Sequence, residues 1–214
     1  INNLDPDNDI FKNCSFIIHF AGLGDIVPSI ERPINYMKTN ILGTINILEA
    51  VRKNNIKRFV YAASSSCYGI ASTPTDEYHK IQPMYPYALS KFQGEQATFH
   101  WKDVYNLSVN SIRIFNAYGT RVKTTGAYGA VFGVFFKQKL ENKPLTIVGD
   151  GSQSRDFVYV TDVAKAFVLA AETQIDGQIY NLGSNSPQSI NKLADLIGIE
   201  KIYLPKRPGE PDCT

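Results

Sequence analysis

Long apolar runs are missing from this 214-residue sequence. No stretch approaches the ~18 consecutive apolar residues that a membrane-spanning helix needs. Ile1 to Asp9 is polar and acidic, unlike a secretory signal. Cysteine is scarce: Cys14, Cys67 and Cys213 stand far apart and are odd in number. With no CxxC pair and no HxxxH, neither a disulfide framework nor a zinc or other metal site is expected, and a reducing cytoplasmic setting is. Charge of one sign is also lacking. Lys and Arg total 22 against 20 Asp and Glu, a net +2, so nothing favours a nucleic-acid or membrane partner. There is no internal repeat and no low-complexity tract. What remains is 43% hydrophobic and 20% charged, the balance of a globular protein with length for one ordinary domain or two small lobes.

Strand and helix patterns alternate along the first half. Phe16 to Phe20 (FIIHF) is a short apolar run that reads as a buried parallel strand. Pro33 opens a helical pattern in which Ile41, Ile45, Leu48 and Val51 recur, stopping at Lys53-Asn54-Asn55. Arg58 to Ala63 is a second strand, followed by a Ser-, Thr- and Pro-rich loop from Ser64 to Pro86. Tyr87 to Tyr105 reads as a helix, and Asn110 to Phe115 as a third strand. This order argues for a parallel sheet covered by helices. Beyond Phe115 lie a polar loop from Thr120 to Gly129, a helix over Ala130 to Leu140 and strands at Leu145 to Val148, Phe157 to Val160 and Ile179 to Leu182. Helices at Asp162 to Ala171, capped by Thr161, and at Ser189 to Ile197 complete the pattern.

Tyr87 and Lys91 are one helical turn apart, which sets a phenol beside an ammonium, with Glu95 following on the same face. A neighbouring cation favours phenolate, so the spacing predicts a Tyr87 pKa pulled from ~10 toward neutrality. Such a group exchanges a proton with a hydroxyl as hydride leaves its carbon. With 12 tyrosines in the chain, about one such spacing is expected by chance, so the motif alone has little weight. Its context adds weight. Ser64 ends the strand RFVYAA, and ligands of parallel α/β sheets sit beyond the carboxyl ends of the strands. Its hydroxyl there can position a substrate oxygen.

These segments, YAASSSCYG followed by PYALSK, resemble the catalytic stretch of the extended short-chain dehydrogenases/reductases, and within them the nucleoside-diphosphate-sugar 4-epimerases. HFAG (His19 to Gly22), Asn40-x-x-Gly43-Thr44, RIFNAYG (Arg113 to Gly119), GDGSQSRDFVYVTDVA (Gly149 to Ala164), YNLG (Tyr180 to Gly183) and RPGE (Arg207 to Glu210) resemble further motifs of that family in the same order. The resemblance implies a Rossmann-like parallel sheet with helices on both faces, lacking its first βαβ unit, plus a smaller α/β substrate lobe. Residues 1–118, with a return segment at about 156–183, would form the partial NAD-binding domain, and residues 119–155 and 184–214 the lobe. It implies NAD as cofactor and Ser64, Tyr87 and Lys91 as catalytic residues. Ala21, Gly22, Asn40, Ala62, Ala63 and Phe115, with Tyr87 and Lys91, would face the cofactor. Ser65, Ser66, Asn116, Arg155, Arg207, Glu210 and Thr214 would face a nucleotide-sugar substrate, with an ion pair to Asp156 or Asp162 the other reading of Arg155. A homodimer through the helices of Pro33 to Asn54 and Tyr87 to Tyr105 follows from the same likeness.

The implied reaction is inversion of the sugar at C4 through a 4-keto intermediate. Related 4,6-dehydratases and decarboxylases place carboxylates directly after the catalytic hydroxyl. Here those positions are Ser65 and Ser66, and seryl hydroxyls are poor general acids at neutral pH. A small Thr214 would admit N-acetylated sugars. A non-catalytic relative of the same fold is the remaining alternative, although such relatives usually lose the Tyr or Lys. The glycine-rich turn GxxGxxG that receives a dinucleotide pyrophosphate does not occur in the sequence, so poor NAD binding by the chain alone is expected. His19, His79 and His100 read as packed or surface residues, Cys67 as a small core residue, and Tyr68 and Phe115 as pocket walls.

Overall fold

The computed structural model describes residues 1–124 and 131–205. After a 3₁₀ turn at Asp9–Phe11, strand β1 (Phe16–His19) leads to helices α1 (Ile26–Glu31), α2 (Pro33–Met37) and α3 (Gly43–Lys53). A π turn over Lys38–Leu42 joins α2 to α3, so that Pro33 opens one long helix, as the pattern predicts. Asn55 stops it in a left-handed conformation. Strand β2 (Arg58–Ser64), a 3₁₀ turn at Ser65–Tyr68, helix α4 (Pro86–Tyr105) and strands β3 (Val109–Ile114) and β4 (Asn116–Tyr118) follow. The chain continues through α5 (Val131–Leu140), β5 (Leu145–Val148), β6 (Ser154–Arg155), β7 (Phe157–Tyr159), α6 (Val160–Glu172), β8 (Gln178–Leu182), β9 (Gln188–Ser189), α7 (Ile190–Ile197) and β10 (Lys201–Leu204).

The main sheet is parallel throughout, in the order β1-β2-β3-β8. Strand β2 is buried along its whole length and explains both layers. Phe59, Tyr61 and Ala63 face a core with Ile47, Leu48 and Val51 of α3. Val60 and Ala62 face the opposite core, built on Val163, Phe167 and Ala170 of α6. The two-residue alternation of a strand thus sorts β2 between two helical layers. A third core joins Phe135 of α5, Leu145 and Ile147 of β5, and Leu193, Ala194 and Ile197 of α7. Strand β5 pairs in parallel with β10, and β6 pairs antiparallel with β9.

Two differences from expectation have simple causes. Thr161 does not cap α6; the helix begins at Val160, behind Tyr159, with no side-chain cap bond. Helical geometry starts where the strand ends, which leaves Thr161 inside the first turn. Helix α1 and strands β4, β6, β9 and β10 were not expected, because elements of two to six residues carry too few positions for a period to register.

The architecture delivers the carboxyl ends of β1, β2 and β3 to one rim. His19 is followed there by Ala21 and Gly22, Ser64 closes β2, and Asn116 follows β3. Strand β4 then turns to pair with β7, and the Asn116 N–H donates to Asp156 O at 3.1 Å.

Candidate active site

Three hydroxyls meet at the end of β2. Ser64 is the N-cap of the short turn behind it, and its Oγ accepts from the Ser66 N–H at 3.2 Å. Ser64 Oγ and Ser66 Oγ share a further bond of 2.8 Å. The Tyr87 phenol bonds to both serines. Tyr87 stands in the first turn of α4, behind Pro86 at its N-terminal position, where the ring's fixed φ suits helix entry. Tyr36 packs edge-on against Tyr87, ring centroids 6.5 Å apart. Ser65 lies half-buried on the same turn.

One turn further along α4, Lys91 is 7% exposed. Its Nζ lies over the Tyr61 ring, 4.4 Å from the centroid. Burial lowers its pKa to about 8, against an opposing pull from Glu95. The Tyr87 pKa is raised, not lowered as the spacing alone predicts. Burial is the main cause, and the two seryl hydrogen bonds oppose it without reversing it. Lys91 is not among the groups that shift the Tyr87 phenol, so the four-residue spacing alone does not depress it.

Residues expected at a cofactor gather around Lys91. Ala21 and Gly22 are exposed at the end of β1. A Cβ on Gly22 would stand 2.9 Å from Asn40 Oδ1 and 3.8 Å from Lys91 Nζ, so bare backbone comes within reach of the amine. Asn40 acts as a clamp. Its Oδ1 accepts from the Leu23 N–H at 2.8 Å, and its Nδ2 donates to Leu23 O at 3.0 Å and to Ser90 Oγ at 2.9 Å. The amide is thereby engaged within the protein and fixes the 20–23 turn against α4. Ala62 and Ala63 have their side chains in the two cores beside β2, so their contribution to the rim is small size. Phe115 is half-buried and its N–H donates to Leu182 O at 3.0 Å. This set fits the nicotinamide-ribose end of a dinucleotide.

On the lobe side, Arg155 is half-buried in β6, opposite Gln188, and its Nη1 donates to Ser154 O at 2.8 Å. The two nearby carboxylates have further contacts of their own. Asp156 accepts the Ser184 N–H at 2.8 Å and the Asn185 N–H at 3.0 Å. Asp162 lies 3.5 Å from Lys165. Arg207, Glu210 and Thr214 lie outside the described residues.

A buried network missed by the sequence reading sits beneath the site. Arg113 Nη2 pairs with Glu95 Oε1 at 2.6 Å, and both side chains are almost wholly buried. Ser111 Oγ donates to Glu95 Oε2 at 2.7 Å. Arg113 Nη1 donates to Tyr68 Oη at 2.7 Å and to Glu77 O at 3.1 Å, and Tyr68 Oη donates to Asn181 Oδ1 at 2.8 Å. Tyr68 is therefore no pocket wall: its hydroxyl is a buried link, because Arg113 lies within reach of it. The placement of Glu95 one turn below Lys91 was the one available signal.

His19 and Cys67 are buried and His100 lies on the surface, as expected. His19 is buried, its pKa lowered to about 4 by burial first and by Lys91 second. Thr44 Oγ1 spends its hydrogen on Asn40 O at 2.7 Å, so the 3.1 Å contact with His19 Nε2 has the imidazole donating. Burial pushes the Cys67 thiol up to about 12. Among the described residues no cluster suited to a metal ion exists, and no helix is long and apolar enough to cross a membrane.

Comparison with known proteins identifies the family and the fold. The model of the NAD dependent epimerase/dehydratase family matches residues 2–183. A protein of Methanocaldococcus jannaschii, provisionally described as a UDP-glucose 4-epimerase, is 39% identical over 98% of this chain and 71% of its own length. Other curated relatives are spanned over about three-fifths of their length, 61% and 59% in two cases. The solved UDP-N-acetylglucosamine 4-epimerase of Methanobrevibacter ruminantium, in complex with UDP-N-acetylmuramic acid, superposes with a TM-score of 0.92 at 31% identity, covering 97% of this chain and 70% of that one. The UDP-glucuronic acid 4-epimerase of Bacillus cereus, in complex with UDP-glucuronic acid and NAD, gives 0.88 at 30% identity, with 99% and 70% covered.

Proposed function

The chain belongs to the NAD dependent epimerase/dehydratase family, and from that premise we propose that its protein inverts C4 of a UDP-linked sugar, with Tyr87 as the proton-transferring group. The observation that carries this reading is the meeting of Ser64, Ser66 and the Tyr87 phenol at the end of β2, one helical turn from a buried Lys91.

NAD, when bound, would supply the acceptor and later the donor of hydride. The protein's own groups do the rest. Ser64 and Ser66 share the substrate's 4-hydroxyl with Tyr87 and aim it. Tyr87 as phenolate takes that proton while hydride leaves C4, giving a 4-keto sugar. The ketone turns in the pocket, hydride returns to the opposite face, and Tyr87 gives the proton back. Lys91, with the backbone of Ala21 and Gly22, would hold the nicotinamide ribose. Phe115 would border the cofactor, Asn116 and Ser65 the sugar nucleotide, and Arg155 and Arg207 its phosphates, where a planar guanidinium suits paired oxygens. Glu210 and Thr214 would complete the nucleotide and sugar-C2 contacts, and a small Thr214 makes both UDP-glucose and UDP-N-acetylglucosamine candidates. Residues 1–118 with 156–183 would carry the cofactor, and residues 119–155 with 184–214 the substrate.

The dehydratase and decarboxylase alternatives need a carboxylate at the reacting sugar. Ser65 and Ser66 stand where those relatives place one, and the carboxylate whose field reaches Tyr87, Asp25, is held by Lys123 at 2.6 Å. A homodimer through α2, α3 and α4 is part of the reading, supported by the exposure of Ile34, Leu89 and Tyr105 on α2 and α4 and of Leu42 in the turn before α3. A reducing cytoplasmic setting is supported by Cys14 and Cys67, both free thiols. The test is proton NMR of the anomeric signals of UDP-glucose and UDP-N-acetylglucosamine, incubated with NAD and the longest natural form of the protein carrying this chain. Appearance of the C4 epimer, lost in Tyr87→Phe by about 100- to 10,000-fold, is expected. A dehydrated or decarboxylated product would replace this reading with one of its alternatives, and no conversion of either sugar would contradict it.

A further inference from the structure

Lys91 comes from a helix, yet what sets the position of its ammonium is a strand residue. Tyr61 lies in the middle of β2, fully buried. The face of its ring carries Lys91 Nζ at 4.4 Å from the centroid. Its hydroxyl donates to Lys91 O at 3.1 Å, so one side chain touches both ends of the same lysine. The contact requires α4 to settle very close to β2, and Gly94 permits it. A Cβ at Gly94 would stand 2.3 Å from Tyr61 Oη and 2.8 Å from Asn40 O, distances that real Cβ atoms do not adopt. The remaining charged or titratable groups around the amine do not compete for its position. His19 on β1 is held neutral and turned to Thr44. Glu95 on α4 is committed to Arg113 and Ser111. Tyr87 on α4 is bonded to the serines. Among the described residues the aromatic face is the partner left for the cation, and a desolvated ammonium gains most from such a face.

We propose that Tyr61 is a positioning residue: its ring seats the Lys91 ammonium and its hydroxyl anchors the Lys91 carbonyl, so that the amine points at the Gly22 turn instead of at solvent. The consequence for turnover rests on the proposed epimerase reading; the seat itself does not. Leucine at this position keeps bulk and apolarity but offers no π face, whereas phenylalanine keeps the face and loses only the anchor.

The experiment labels the chain with ¹³Cε-lysine and assigns Lys91 by the signal missing in Lys91→Arg. Protons above an aromatic face are shifted upfield, so the Lys91 ε-methylene protons are expected upfield of the other lysines. That displacement should persist in Tyr61→Phe and vanish in a folded Tyr61→Leu. A Lys91 signal inside the common lysine envelope in the unmodified chain, or an upfield signal that survives Tyr61→Leu, overturns the proposal. In the NAD-loaded full protein, Tyr61→Leu is expected to lower kcat about tenfold with little change in the sugar KM, and Tyr61→Phe to restore most of it. Equal loss in both variants would overturn the positioning role. If the parent protein converts no sugar, the function reading fails and the NMR displacement still decides the seat.

Discussion

Two buried bases give this protein a pH signature that belongs to single residues. The folded pKa of His19 is about 4, below its usual 6.5. Between those values the unfolded chain holds a proton that the folded chain does not, so stability falls as pH drops from 6.5 to 4. The full effect is about 3 kcal/mol, and His19→Gln should flatten that acid limb in urea titrations. Lys91, at about 8 against 10.5, has the same sign in a higher window. Folding is opposed by its charge below pH 8 and gains stability as pH rises from 8 toward 10.5. Lys91→Met should therefore be more stable than the parent at pH 7 by up to about 3 kcal/mol, lose the alkaline gain, and be inactive; thermal melts at pH 7 and 9.5 check this. That Ser64 and Tyr87 meet one turn from Lys91 was legible in the sequence, because spacing and strand order bring them together. The direction of the Tyr87 shift was not, because burial by Tyr36 and the loop after β2 leaves no trace in a four-residue interval.

Helices and strands here are joined by one buried ion pair more than by any surface contact. Glu95 of α4 and Arg113 of β3 bind each other, and Arg113 reaches through Tyr68 and Glu77 to the loop between β2 and α4. Glu77 Oε1 in turn accepts the Asn181 N–H of β8 at 2.7 Å. Removing one partner strands the other charge in the core. Arg113→Met or Glu95→Leu alone should cost about 3–5 kcal/mol, and the double substitution less than the sum, as measured by denaturant unfolding. Gly94→Ala, which forces a methyl group against Tyr61, should cost about 1–3 kcal/mol on the same assay. Long elements such as α3 and α4 were legible from apolar periodicity and Pro or Asn boundaries. The Glu95–Arg113 pair was not, since polar residues inside a buried strand show their partner only when the helix is laid across it. Helix α1, with Pro28 inside its first turn, likewise has no pattern to read.

At the scale of the molecule, a parallel sheet with helical layers on both faces carries a rim on which Ala21, Gly22, Ser64 and Asn116 stand at strand ends. Motif order anticipated the parallel sheet, because apolar runs at β1, β2 and β3 alternate with helical patterns along the sequence. The residues that fit a cofactor would hold its nicotinamide end. With no glycine-rich turn in the sequence to receive the pyrophosphate, the 214-residue chain by itself should bind NAD much more weakly than a full-length form, a difference that calorimetric titration of both would show. The most direct test of the central claim is the fate of C4 in a nucleotide sugar. When the full-length protein is incubated with NAD and UDP-glucose or UDP-N-acetylglucosamine, proton NMR should show the C4 epimer growing to equilibrium, and Tyr87→Phe should abolish it while NAD stays bound. Persistence of epimerisation in Tyr87→Phe, or no epimer from either sugar with NAD in place, would contradict the account.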